Sequence, residues 1–196
     1  NNGPRGWETA AVLELPATWA EFHDALQKAR IEDGRFCRNE LLHIRDSGFP
    51  DSVIGQDVDL YDLNFFAQRL AGFNDAERMG MKALLEMERH DGPIPLNYLI
   101  HLTYNTDTCR LMPQLSDDRE LGAFLYENRL LPDEAMALLD KAEPDSGFQN
   151  KLLALLGEQH RQDHGGVFTR WGYAEIHGEM REMDEPEKAA VLHRPG

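Results

Sequence analysis

The chain has 196 residues, 41% hydrophobic and 28% charged, which is long enough for a packed core and too apolar for a disordered chain. Its 35 Asp and Glu against 20 Lys and Arg leave a formal charge of −15, which repels nucleic acid and anionic membrane surfaces and excludes both as direct ligands. No apolar run approaches the roughly 20 residues of a membrane span, and no signal-peptide pattern follows the opening Asn1-Asn2-Gly3-Pro4.

The pattern predicts an α+β architecture. Ala10 to Pro16 reads as a short strand stopped by proline. Thr18 with Glu21 makes a capping box for a helix to about Ile31, with Phe22, Leu26 and Ala29 on one stripe. Phe36 to Ile44 reads as a second strand, giving a small N-terminal β-α-β unit over residues 1–50. Ser47 to Gly55, rich in Gly and Pro, reads as a linker.

An acidic helical domain is expected over residues 56–145. Asp59 caps its first helix, with Leu63, Phe66, Ala67 and Leu70 inward and Gly72 as the stop. Asn74 and Glu77 start the second, through Met81, Leu84 and Leu85, and Gly92-Pro93 stops it. Pro95 opens a third, Ser116 caps a fourth with Leu121, Phe124 and Leu125 inward, and Pro132 opens a fifth with Ala135, Met136 and Leu139 inward. Each is too short to hold alone, so they must pack together. Residues 146–182 then read as a helix plus a β-hairpin. Ser146 caps the helix, its stripe is Phe148, Leu152, Leu155 and Leu156, and Gly165-Gly166 closes it. Strands follow at Val167–Thr169 and Tyr173–His177. Residues 183–196 read as a loose tail.

Catalytic signatures are weak. His160 and His164, four apart on a helix with Asp163 between them, share one face and can grip a metal, but no third ligand is evident and the His-Glu-x-x-His pattern is absent. The plain alternative is two histidines at a helix C-terminus, where positive charge is welcome. His101, Asp107 and Cys109 are close in sequence, yet a Cys–His nucleophile needs hydrogen-bond reach that sequence proximity does not supply. Cys37 and Cys109 have no metal-binding spacing and fit free thiols in a reducing cytoplasm better than a disulfide. No cofactor is implied, and without a phosphate loop or basic patch no nucleic acid is bound directly.

The acid is unevenly spread. Between Asp57 and Asp145 lie 18 Asp or Glu and 8 Lys or Arg, a balance of −10, against −3 and −2 on either side. The candidate partner-binding surface is Glu86, Glu88, Asp91, Asp117, Asp118, Glu120, Glu127, Asp133, Glu134, Asp140, Glu143 and Asp145. The competing reading is a solvated face, in which Asp117, Asp118, Asp133 and Glu134 simply answer helix dipoles. Carboxylates four apart on a helix stand about 6 Å apart along its axis, a spacing similar to that of phosphates along a DNA strand.

The stretch Asp62-Leu63-Asn64-Phe65-Phe66-Ala67-Gln68-Arg69-Leu70, with Ala83-Leu84-Leu85-Glu86 after it, resembles the middle domain of ArdA-type antirestriction proteins. Pro93-Ile94-Pro95-Leu96-Asn97-Tyr98-Leu99-Ile100, Asn105-Thr106-Asp107, Glu120-Leu121-Gly122-Ala123-Phe124 and Gly165-Gly166-Val167-Phe168-Thr169 are similar to ArdA relatives on conjugative elements. The resemblance spans roughly Asp59 to Tyr173 and rests on packing and turn residues, while the N-terminal part departs from the ArdA opening. It implies a non-enzymatic, cytoplasmic, usually dimeric DNA mimic carried by mobile DNA. Such a protein occupies the DNA-binding groove of type I restriction-modification enzymes or another basic DNA-binding protein. The alternatives are an interaction or regulatory module of a conjugative element without mimicry, and a small hydrolase or metal enzyme using His160, Asp163 and His164.

Overall fold

The computed structural model describes residues 9–46, 49–88 and 92–181. Among these the fold is mixed α/β and mostly helical, with seven α-helices and one three-stranded antiparallel sheet. Among the described residues no helix is long and apolar enough to cross a membrane. The chain divides into two compact units, one of residues 1–78, 90–105 and 181–196, the other of residues 79–89 and 106–180. This division differs from the expected segments 1–50, 56–145 and 146–182; the expected tail at 183–196 and Asp91 lie outside the described residues.

The first unit is helical. Helix α1 (Trp19–Lys28) starts at the expected capping box: the Glu21 amide donates to Thr18 Oγ1 at 3.3 Å and the Thr18 amide donates to Glu21 Oε2 at 2.9 Å. It buries Phe22 and Leu26 with Ala17, against Leu13, Leu15, Ile31, Leu60 and Tyr61. Helix α2 (Leu60–Ala71) is capped by Asp59 and lies beside α4 (Leu96–Thr103). Arg69 of α2 donates to Thr103 Oγ1 and its carbonyl at 3.2 and 3.1 Å, satisfying polar groups at the buried end of α4. Helix α3 (Asp75–Met87) starts in this unit and passes into the second at Met79; it opens on the expected Asn74–Glu77 pair, each side chain accepting from the other's amide at 2.9 Å.

The N-terminal β-α-β unit does not form. Neither Ala10–Pro16 nor Phe36–Ile44 is a strand, and Val12, Phe36 and Leu42 project into solvent. A strand needs a ladder partner and a buried face. Here the backbone of the second segment is held by side chains instead: Asn39 accepts from the Val58 amide and donates to its carbonyl, and Asp57 accepts from the Asn39 amide. The expected linker also packs, with Phe49, Val53 and Ile54 buried and the Ile94 amide donating to the Val53 carbonyl at 2.9 Å.

The second unit sets helices against the sheet. Strand β1 (Cys109–Met112), a stretch to which the sequence pattern assigns no element, pairs antiparallel with β3 (Gly172–Ile176), which also pairs with β2 (Val167–Thr169). The order is therefore β1-β3-β2, with β3 central, and only a partner more than 60 residues away makes β1 a strand. Helix α5 (Asp118–Glu127) brings Leu121 and Leu125 to Leu115 and Tyr173, with Met112, Phe124, Leu131 and Phe168 at the margin; α6 (Asp133–Lys141) follows it, and α7 (Gly147–His164) packs against α5.

Two local expectations need correction. The N-cap of α5 is Asp117, whose side chain accepts from the Glu120 amide at 2.8 Å; Ser116 instead donates its amide and hydroxyl to Glu120 Oε2. Aspartate and serine cap about equally well, and here the Ser116 hydroxyl is engaged by Glu120. In α7 the inward face is Leu153 and Gly157, while Phe148 and Leu155 are exposed. The packing is governed by glycine: a β-carbon at Gly122 would stand 1.9 Å from the Leu153 carbonyl oxygen. The helices approach where side chains are missing, and the wide apolar stripe misleads. Gly165, left-handed at φ 61°, closes α7 as expected.

Candidate functional site

The described residues of the expected acidic surface all lie in the second unit, but they divide by what they do. Asp118 accepts two hydrogen bonds from Arg161, at 2.8 and 3.0 Å, tying α5 to α7. Glu120 is held by Ser116, and those hydrogen bonds keep its carboxyl below the usual range. Asp140 accepts from the Tyr126 hydroxyl at 2.6 Å and from Arg129, which likewise favours its ionised form. Glu86 accepts from the Arg170 amide at 3.0 Å and is largely buried; Glu88 is half-buried. Asp117 caps α5, and Asp145 accepts weakly from Asn150. Glu127, Asp133, Glu134 and Glu143 are exposed, with no side-chain hydrogen bond or ion pair among the described residues. These four are free to meet a partner.

A second constellation forms where α7 ends over the sheet. Residues two apart on a strand share a face, so Tyr173, Glu175 and the following His177 point the same way. Glu175 is only 2% exposed. Its Oε1 accepts from the Tyr173 hydroxyl at 2.8 Å and lies 2.5 Å from His160 Nε2, while Oε2 lies 2.7 Å from His177 Nε2. Burial alone raises a carboxyl pKa; here the bonds from Tyr173, His160 and His177 outweigh it and the pKa of Glu175 is lowered. Burial, and then the bond to Glu175, push the Tyr173 hydroxyl far above its usual range, so it stays a donor. His164, one turn beyond His160, stacks on it with ring centroids 4.0 Å apart.

Of the sequence candidates, His160 and His164 are thus brought together, and the missing third group is Glu175. Asp163 is exposed and accepts from Gln159 on its own helix. The acid in Tyr173-Ala174-Glu175-Ile176 was legible as a strand residue, and its two-residue relation to Tyr173 and His177 was the available signal. At Cys109 burial pushes the thiol up to about 11, the reverse of the shift that activates a nucleophile. Both cysteines are free thiols.

Comparison of the sequence with protein-family models, curated proteins and solved structures finds no match. The functional reading therefore rests on the residues themselves.

Proposed function

We propose that this protein is a non-enzymatic cytoplasmic decoy whose acidic surface occupies the basic DNA-binding groove of another protein, a type I restriction-modification enzyme in the first instance. The observation that carries the reading is the set of unengaged, exposed carboxylates Glu127, Asp133, Glu134 and Glu143 on and beside α5 and α6. Asp117, Asp140 and Asp145 add exposed charge around them. The net charge of −15 supports it further, because long-range attraction to a cationic groove speeds encounter and excludes acidic competitors. The ArdA resemblance in the same part of the chain points the same way.

The test is competition. The purified protein, added to a type I methyltransferase core bound to labelled duplex, is expected to release the duplex in a saturable manner. Release no greater than that by an unrelated protein of equal charge overturns the reading.

A second reading, an interaction module without mimicry, is favoured by the exposed apolar side chains Leu130, Leu138, Phe148 and Leu155 in the same unit. A partner held through these is insensitive to salt, whereas a groove held by carboxylates is not.

A further inference from the structure

The cluster at the end of α7 plays no part in the decoy reading, and its donor set is that of a metal ligand group. A ring nitrogen of His160, one of His164 and a carboxylate oxygen of Glu175 lie within 4.8 Å of one another. Two histidines at i and i+4 on one helix face, completed by a glutamate from another element, are three nitrogen and oxygen ligands of the kind that hold zinc with one position left to water. The surroundings are also those of a ligand set. The ring nitrogen Nδ1 of His164 lies 2.8 Å from the His160 carbonyl oxygen, so it carries the hydrogen and leaves Nε2 with its lone pair outward. Glu175 is buried and oriented by Tyr173 and His177 through its two oxygens. Hydrogen bonds of this type hold a carboxylate in place for an ion.

We infer that His160, His164 and Glu175 form a binding site for one divalent transition-metal ion of the zinc class, with His177 and Tyr173 holding the glutamate. An ion at about 2.0–2.2 Å from each ligand sets ligand atoms roughly 3.3 Å apart. His160 and Glu175, now 2.5 Å apart, open by less than about 1 Å to admit it, a side-chain adjustment. The hydrogen between them leaves that line, to His160 Nδ1 or to solvent, and no bond is oxidised or reduced. The ion then clamps the α7 end to β3.

The test uses the whole chain, stripped with chelator, dialysed and titrated with zinc chloride alone. One zinc per chain, taken up at micromolar concentration with a rise in melting temperature, is expected, and cobalt in its place should give the visible absorption of a four-coordinate site. His164→Ala removes an exposed ligand without touching the core and should weaken uptake by at least about tenfold, as Glu175→Gln should. His23→Ala, on α1, should bind like the parent. No stoichiometric uptake, or equal uptake by a folded His164→Ala variant, overturns the site. Because Glu175→Gln removes a buried carboxylate and can fail to fold, the His164 variant decides.

Discussion

Gly157 of α7 lies against the backbone of Asp118 at the head of α5: a β-carbon there would stand 1.8 Å from the Asp118 carbonyl oxygen. Glycine in a helix interior costs about 1 kcal/mol relative to alanine, and the close crossing offsets that cost. Gly157→Ala, and Gly122→Ala on the facing helix, are therefore expected to destabilise by at least about 3 kcal/mol, since the obstacle is backbone rather than a movable side chain. Denaturant unfolding measures it; a loss below about 0.5 kcal/mol, the ordinary scale of a surface change, would show that the helices slide apart freely.

The same crossing makes Asp118 a structural acid. Its paired bonds to Arg161 are partly shielded, with side-chain exposures of 27% and 30%. Asp118→Asn should cost about 1 kcal/mol, between the value for an exposed pair and that for a buried charged hydrogen bond. Asp117→Asn should cost little, because asparagine caps as well as aspartate. Equal melting temperatures for the Asp118 variant and the parent would refute the first expectation.

Sequence pattern resolved most helices because caps and stops are local. Thr18, Asp59, Asn74 and Ser146 each bond to amides within three residues, so the signal and the structure share one stretch of chain. What failed was whatever depends on a distant partner. Strand β1 exists because Cys109–Met112 meets β3. Phe36–Ile44 has strand-like residues and no such partner. The same limit applies to the site. His160 and His164 were visible by helix spacing, while Glu175 reaches them only through the packing of α7 on the sheet.

Cys109 provides a chemical probe of β1. Its thiol pKa, raised to about 11 by burial, leaves about one thiolate in a thousand at pH 8. Iodoacetamide at that pH should leave Cys109 unmodified in the native protein and label it on unfolding, as peptide mass mapping would read. The raised pKa also fixes a sign. The folded state favours the neutral thiol, so this contribution to stability is complete below the unfolded value near 9 and is lost as pH rises through about 11. Fast native labelling would mean that β1 opens readily.

The decoy reading makes its sharpest prediction on salt. Each carboxylate facing a partner Lys or Arg contributes only about 0–1 kcal/mol when exposed, but several act together on encounter, and salt screens them beyond about 8–10 Å. The residues to neutralise are Glu127, Asp133, Glu134 and Glu143, because Asp117 and Asp118 are engaged in capping and helix pairing. Amides at Asp133 and Glu134 lose a favourable helix-end charge worth about 0.3–1 kcal/mol each. Glu127 ends α5 and Glu143 follows α6, so removing their charge near negative helix ends costs nothing. The fold should survive, which a thermal melt checks. Binding to a type I methyltransferase core should weaken stepwise from one to four substitutions, and the difference between parent and quadruple variant should shrink as salt is raised. The protein itself should give no shift of duplex DNA, since like charges remove the attraction that drives such binding. If the quadruple variant competes as well as the parent at both salt concentrations, these carboxylates are a solvated face and the partner is held through the exposed apolar side chains instead.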